Sequence, residues 1–231
     1  MSQLQTYRIA CPTCGDASDV TLHDAINVQC DPDLRVELME NRLNTVHCPA
    51  CGYHFRVDKP LLYSDPERRL MIYWFPASDE DLESGEKEFR DSIWRLTSVV
   101  PEGFDLPDMH LVFSRTELVE RIFLCEAGLS ERIIEYIKYL IFRQNLNDLD
   151  PGTKTLLFNT DESTDESLCF VVQDLETLAL ESMYRYSRQA YEAICEMFDQ
   201  DEQTATLLEL FPGPHINARS LLLRESEVRG G

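Results

Sequence analysis

No run of about 18 apolar residues occurs in this chain, so no membrane-crossing helix is expected from it. The first residues, Met1 to Ile9, are polar and lack the charged-then-apolar order of a secretion signal. A cytoplasmic protein is therefore expected, where thiols stay reduced and paired cysteines favour metal over disulfide. Positive charge is scarce: 21 Lys and Arg stand against 42 Asp and Glu, a net charge of -21. The deficit is uneven. Residues 1–77 carry 7 basic and 10 acidic side chains, whereas residues 78–231 carry 14 and 32. Such a surface repels a phosphate backbone and suits solubility or a basic protein partner. Also missing are a glycine-rich phosphate loop, a Gly-x-Ser-x-Gly elbow and a His-Glu-x-x-His helix. No catalytic constellation stands out, which weighs against an enzyme without closing the question.

The chemistry that is present is concentrated in cysteine. Cys11-Pro12-Thr13-Cys14-Gly15 and Cys48-Pro49-Ala50-Cys51-Gly52 are matching knuckles. A two-residue spacer lets both sulfurs of one tight turn reach the same ion, and two knuckles supply four corners of a tetrahedron. The glycine after each pair can take positive φ and bring backbone N–H groups toward the thiolates. Cys11, Cys14, Cys48 and Cys51 are thus expected to hold one structural Zn2+, with no position left open for substrate or water.

These motifs resemble the CpXC domain family, named for its two Cys-Pro-x-Cys elements. Asp31-Pro32-Asp33-Leu34-Arg35 and Leu61-Leu62-Tyr63-Ser64-Asp65 also fit it, and the resemblance spans roughly residues 7–130. The family is prokaryotic and functionally uncharacterised. The resemblance implies a zinc-ribbon-like fold and brings no activity with it.

Hydropathy patterning supports an α+β chain. Strands are expected at residues 5–10, at 20–28 with a bulge, at 53–57, and in a hairpin of 61–63 with 70–75. Residues 34–43 fit an inserted helix. From Ser78 the pattern turns helical, with capping signatures at Ser78/Asp81 and Ser114/Glu117 and a third helix after Ser130. A second hairpin is expected from residues 155–158 and 168–172. A helix running from about Leu175 or Ser182 to Phe198 follows it. One more short helix fits residues 203–210, and a frayed end fits residues 225–231. The expected organisation is a zinc-ribbon-like unit, 1–77, packed on an acidic helix-rich part with a β-hairpin, 78–231.

Other residues carry ordinary expectations. Cys30, Cys125, Cys169 and Cys195 suit small buried apolar positions. His47 and His54 flank the second knuckle and suit supporting or surface roles around it. His23, His110 and His215 are isolated. The acidic group Asp161, Glu162, Asp165 and Glu166 suits a solvated loop, because it lacks the residue order of a calcium loop. Tyr73-Trp74-Phe75 suits core packing more than a stacking platform. Residues 133–142 suit a buried helix or a face between copies of the chain, so a homo-oligomer is possible. The function expected is a zinc-stabilised protein-binding or scaffold protein. The alternatives are a nucleic-acid-associated regulator using the ribbon and an enzyme of unrecognised type.

Overall fold

A computed structural model describes residues 1–78, 81–99, 106–199 and 201–230. The protein is mixed α+β, with seven helices and three sheets among the described residues. It divides into two compact units, Met1–Val119 and Glu120–Gly231.

The first unit begins with an antiparallel hairpin, β1 (Gln3–Ala10) and β2 (Ala17–Asn27). Its register passes from Gln3↔Ala25 to Leu4↔His23, so Asp24 is an extra residue in β2. The bulge turns the Asp24 carboxylate to the Tyr7 hydroxyl, which donates to it at 2.7 Å, and to the Lys59 ammonium at 2.5 Å. Helix α1 (Pro32–Met39) follows the Asp31-Pro32 start. It stops four residues short of the expected Leu43, because Asn41 adopts φ +62, where a right-handed helix cannot continue. Arg115 closes the α1 C-terminus by donating to the Leu38 and Met39 carbonyls.

Strands β3 (Thr45–His47) and β4 (His54–Arg56) form a short antiparallel ribbon. β5 (Leu61–Asp65) and β6 (Leu70–Trp74) form the expected hairpin, and β7 (Asp108–Val112) pairs parallel with β6. The five-stranded sheet has the order β1-β2-β5-β6-β7. Leu61, Tyr63, Leu70, Ile72 and Trp74 are buried, as alternation on one face requires. On the opposite face Tyr73 and Met109 meet helix α2 (Leu82–Val99) through Phe89 and Ile93. Trp74 is therefore a core residue, and Tyr73 and Phe75 are half-buried against the core around Phe89.

Gly85 of α2 lies against the Phe113 and Phe75 rings. A Cβ there would collide with the Phe113 ring and lie 2.9 Å from Phe75 Cδ1. Alanine is the better helix former by about 1 kcal/mol, but overpacking costs about 1–3 kcal/mol. Gly85→Ala should therefore lower the urea midpoint of unfolding. An unchanged or higher midpoint would mean that the two rings can move aside.

Helix α3 (Arg115–Glu126) opens with the first half of its capping signature: Ser114 Oγ accepts the Glu117 N–H at 3.1 Å, whereas the Glu117 carboxylate accepts the N–H of Phe113, one residue before the cap, at 3.0 Å. In the second unit, α4 (Glu131–Gln144) lies against the inner face of a three-stranded sheet of β8 (Lys154–Asn159), β9 (Ser167–Asp174) and β10 (Leu180–Ser187). Its order is β10-β9-β8. Ile133, Ile134, Ile137 and Phe142 of α4 join Leu156, Leu168, Phe170 and Val172 of the sheet in one core.

Two expectations fail in this unit. Residues 182–187 are strand, not helix. Tyr184 and Tyr186 pack on the core while Arg185 is exposed, a period of two. Helix α5 (Arg188–Phe198) starts only at Ser187, whose hydroxyl accepts the Ala190 N–H. After α6 (Asp201–Leu210), the expected frayed end is instead part of α7 (Ala218–Gly230). Asn217 Oδ1 accepts the Ser220 N–H at 2.9 Å, and Glu135 Oε2 accepts the Ala218 N–H at 2.8 Å. These two side chains satisfy N–H groups that an isolated helix start would leave open.

The same Glu135 belongs to a buried ionic cluster. Lys138 Nζ lies 2.7 Å from Glu120 and 2.8 Å from Glu135, while Arg121 Nε lies 2.9 Å from Glu131. Glu120 also accepts the Phe158 N–H at 2.5 Å, tying α3 to β8.

Candidate metal centre

Each Cys-Pro-x-Cys turn joins two strands. The first lies between β1 and β2, the second between β3 and β4. Their backbones repeat one another. Cys11 N–H donates to the Asp16 carbonyl at 2.8 Å, and Cys48 N–H to the Tyr53 carbonyl at 2.9 Å. Gly15 N–H donates to the Cys11 carbonyl and Gly52 N–H to the Cys48 carbonyl, both at 2.9 Å. Gly15 and Gly52 both take φ +75, as the closing residue of this turn requires.

The two turns meet. The sulfurs of Cys11, Cys14, Cys48 and Cys51 all lie within 4.8 Å of one another. Cys11–Cys51 and Cys14–Cys48 are each separated by 3.7 Å. Metal–sulfur bonds of about 2.3 Å in a tetrahedron place sulfurs roughly 3.8 Å apart. The spacing thus fits one ion held by four thiolates. Cys11 and Cys48 are buried, and Cys14 and Cys51 face solvent.

Electrostatics lead to the same requirement. Burial pushes the Cys11 thiol up, but the N–H groups of Cys14 and Thr13, with the Cys51 and Cys14 thiols, bring it down to about 7. At Cys14 the Asp16 N–H acts downward, yet the crowding sulfurs of Cys51, Cys48 and Cys11, together with burial, push it up to about 12. A thiolate forms more easily at Cys11 than at Cys14 or Cys51, unless a cation shares the charge. These four cysteines could hold a metal ion.

The remaining candidates disperse. Cys169 is buried, Cys125 and Cys195 are half-buried, and Cys30 is exposed rather than the buried position expected of it. His215 is buried. Glu162 of the acidic loop pairs with Arg185 at 3.2 Å, on the surface. His47 and His54 are exposed and their rings adjoin, a pairing not apparent from sequence because it depends on the register of β3 with β4. Among the described residues no helix is long and apolar enough to cross a membrane.

A family model described as CpXC protein matches residues 9–138. No curated protein and no solved structure matches the chain.

Proposed function

The chain belongs to the CpXC protein family, and from that premise we propose a zinc-stabilised binding or scaffold protein whose metal is structural. One observation carries this reading: four thiol donors converge within 4.8 Å, filling every corner that tetrahedral zinc offers. Cys11, Cys14, Cys48 and Cys51 would hold the ion, which supplies cross-linking of two hairpins and no reactive position. No disulfide joins any of the eight cysteines, which suits a reducing compartment. The acidic excess of residues 78–231 suits a partner with a basic face.

The test is metal analysis of the natively purified chain, with X-ray absorption at the metal edge. One zinc per chain with four sulfurs at about 2.3 Å is expected. Iron in the same S4 cage would replace the zinc assignment. A water or nitrogen ligand in place of a sulfur would reopen a catalytic site. Affinity capture at graded salt addresses the partner. Salt-sensitive recovery of a basic protein supports the scaffold reading, and recovery of nucleic acid at low salt favours a regulator instead.

A further inference from the structure

We propose that His47 and His54 form a second metal site on the β3–β4 ribbon, an open pair of imidazoles suited to Ni2+, Cu2+ or Zn2+. The two residues are direct cross-strand partners. Both are exposed, and their ring centroids lie 4.6 Å apart at an interplanar angle of 42°. Metal–nitrogen bonds of about 2.0 Å put each ring centre roughly 3 Å from a bound ion, so two imidazoles at adjacent corners stand about 4.5 Å apart. The observed centroid separation is close to the one that cis ligands require.

Nothing else engages these rings. Among the described residues neither imidazole has a hydrogen-bond or ion-pair partner. Chelation would therefore break no existing interaction, and the short ribbon already holds the pair in place, reducing the entropy lost on binding. Imidazole nitrogen selects borderline transition ions over Mg2+ and Ca2+. The net charge of -21 raises the local concentration of cations. The site is distinct from the thiolate cluster: His47 is exposed, whereas Cys48, which follows it, is buried among the sulfurs. Two protein ligands leave coordination positions for water or for a donor from a second molecule, unlike the closed four-sulfur set.

The test uses the untagged full chain with its cysteine-site metal counted beforehand, titrated with Ni2+ by calorimetry. One further nickel per chain should bind, without thiolate-to-nickel charge-transfer absorption. His47→Ala and His54→Ala should each weaken it roughly tenfold or more, because either leaves a single imidazole. The double variant should bind no more tightly than either single one, and its loss should fall short of the sum of the two single losses, the signature of a shared ion. Cysteine-site metal content and circular dichroism should be unchanged in all three. Independently of any variant, electron paramagnetic resonance of the wild type with one equivalent of Cu2+ should show two imidazole nitrogens on copper. Equal nickel binding by wild type and double variant, additive losses in the two single variants, or a single nitrogen on copper would each overturn the proposal.

Discussion

Stripping the ion proposed for Cys11, Cys14, Cys48 and Cys51 should unfold the β3–β4 ribbon and loosen the tip of the β1–β2 hairpin. The ribbon has only three cross-strand pairs, Thr45↔Arg56, Val46↔Phe55 and His47↔His54. A two-stranded ribbon of that length is not stable in water on its own. Val46 of β3 and the nearby Leu43 are buried, yet that apolar contact is small next to a structural zinc, whose apparent binding free energy is about 10–16 kcal/mol in small zinc domains. Without the cation, the crowded thiols regain protons and the sulfur cage loses what holds it closed. Hydrogen exchange across residues 43–57 should rise steeply after chelation, and any one of the four Cys→Ser substitutions should reproduce it, with metal content falling from one per chain to none. Cys30→Ser is the control, because Cys30 is exposed and outside the cluster. Slow exchange that persists after complete metal removal would show that the hairpins hold themselves together, and the structural-ion reading would fail.

Lys138→Met should be among the most destabilising single changes in the second unit, by about 3–5 kcal/mol. Methionine matches the lysine stem in volume, so packing is largely kept. What disappears is the ammonium between Glu120 and Glu135, both buried and both also accepting backbone N–H groups. Two carboxylates then remain in a dry interior with Arg121 as the nearest cation to Glu135, at 3.9 Å. Urea unfolding checks this. A midpoint within error of the wild type would mean that water reaches the cluster and replaces the lost charge. Glu135→Gln should be milder, because an amide oxygen can still accept from the Ala218 N–H.

The cluster also sets an alkaline limit. Burial acts to lower the Lys138 ammonium, but Glu120 and Glu135 outweigh it and hold it above its ordinary value of 10.5. Burial pushes the Glu135 carboxyl up, against Lys138 and Arg121. For the pair the ammonium decides the direction, since two carboxylates flank it within 2.8 Å. The folded protein keeps a proton that the unfolded chain loses, so this stabilisation is complete below pH 10.5 and fades as pH rises through the folded value. In Lys138→Met that alkaline loss should be absent.

The ionic cluster shows where local pattern stops being informative. Glu135 and Lys138 are three residues apart and would pass for a solvated helix pair. Only the packing of α4 beneath β8 and the start of α7 turns them inward, together with Glu120 from α3. Strand β10 was hidden for a related reason. Leu180 to Ser187 offers apolar and polar residues at either helical or strand spacing, and pairing with Val171, Phe170 and Leu168 across β9 chose the strand. Helix α7 depends on a cap from Glu135, 83 residues away in the chain. No window of neighbouring residues contains that partner.

The knuckles are the opposite case. Their chemistry is written within five residues each: a two-residue spacer for shared ligation and a glycine for the φ of +75 that closes the turn. The alternation of β5 and β6 and the capping residues of α3 are equally local, and both can be read in the sequence. Tertiary structure brings together the two turns that the sequence expects to meet, and it alone decides which charges are buried and that His47 faces His54. Each of these depends on groups far apart in the chain, brought together by pairing register and core packing rather than by anything in the adjacent sequence.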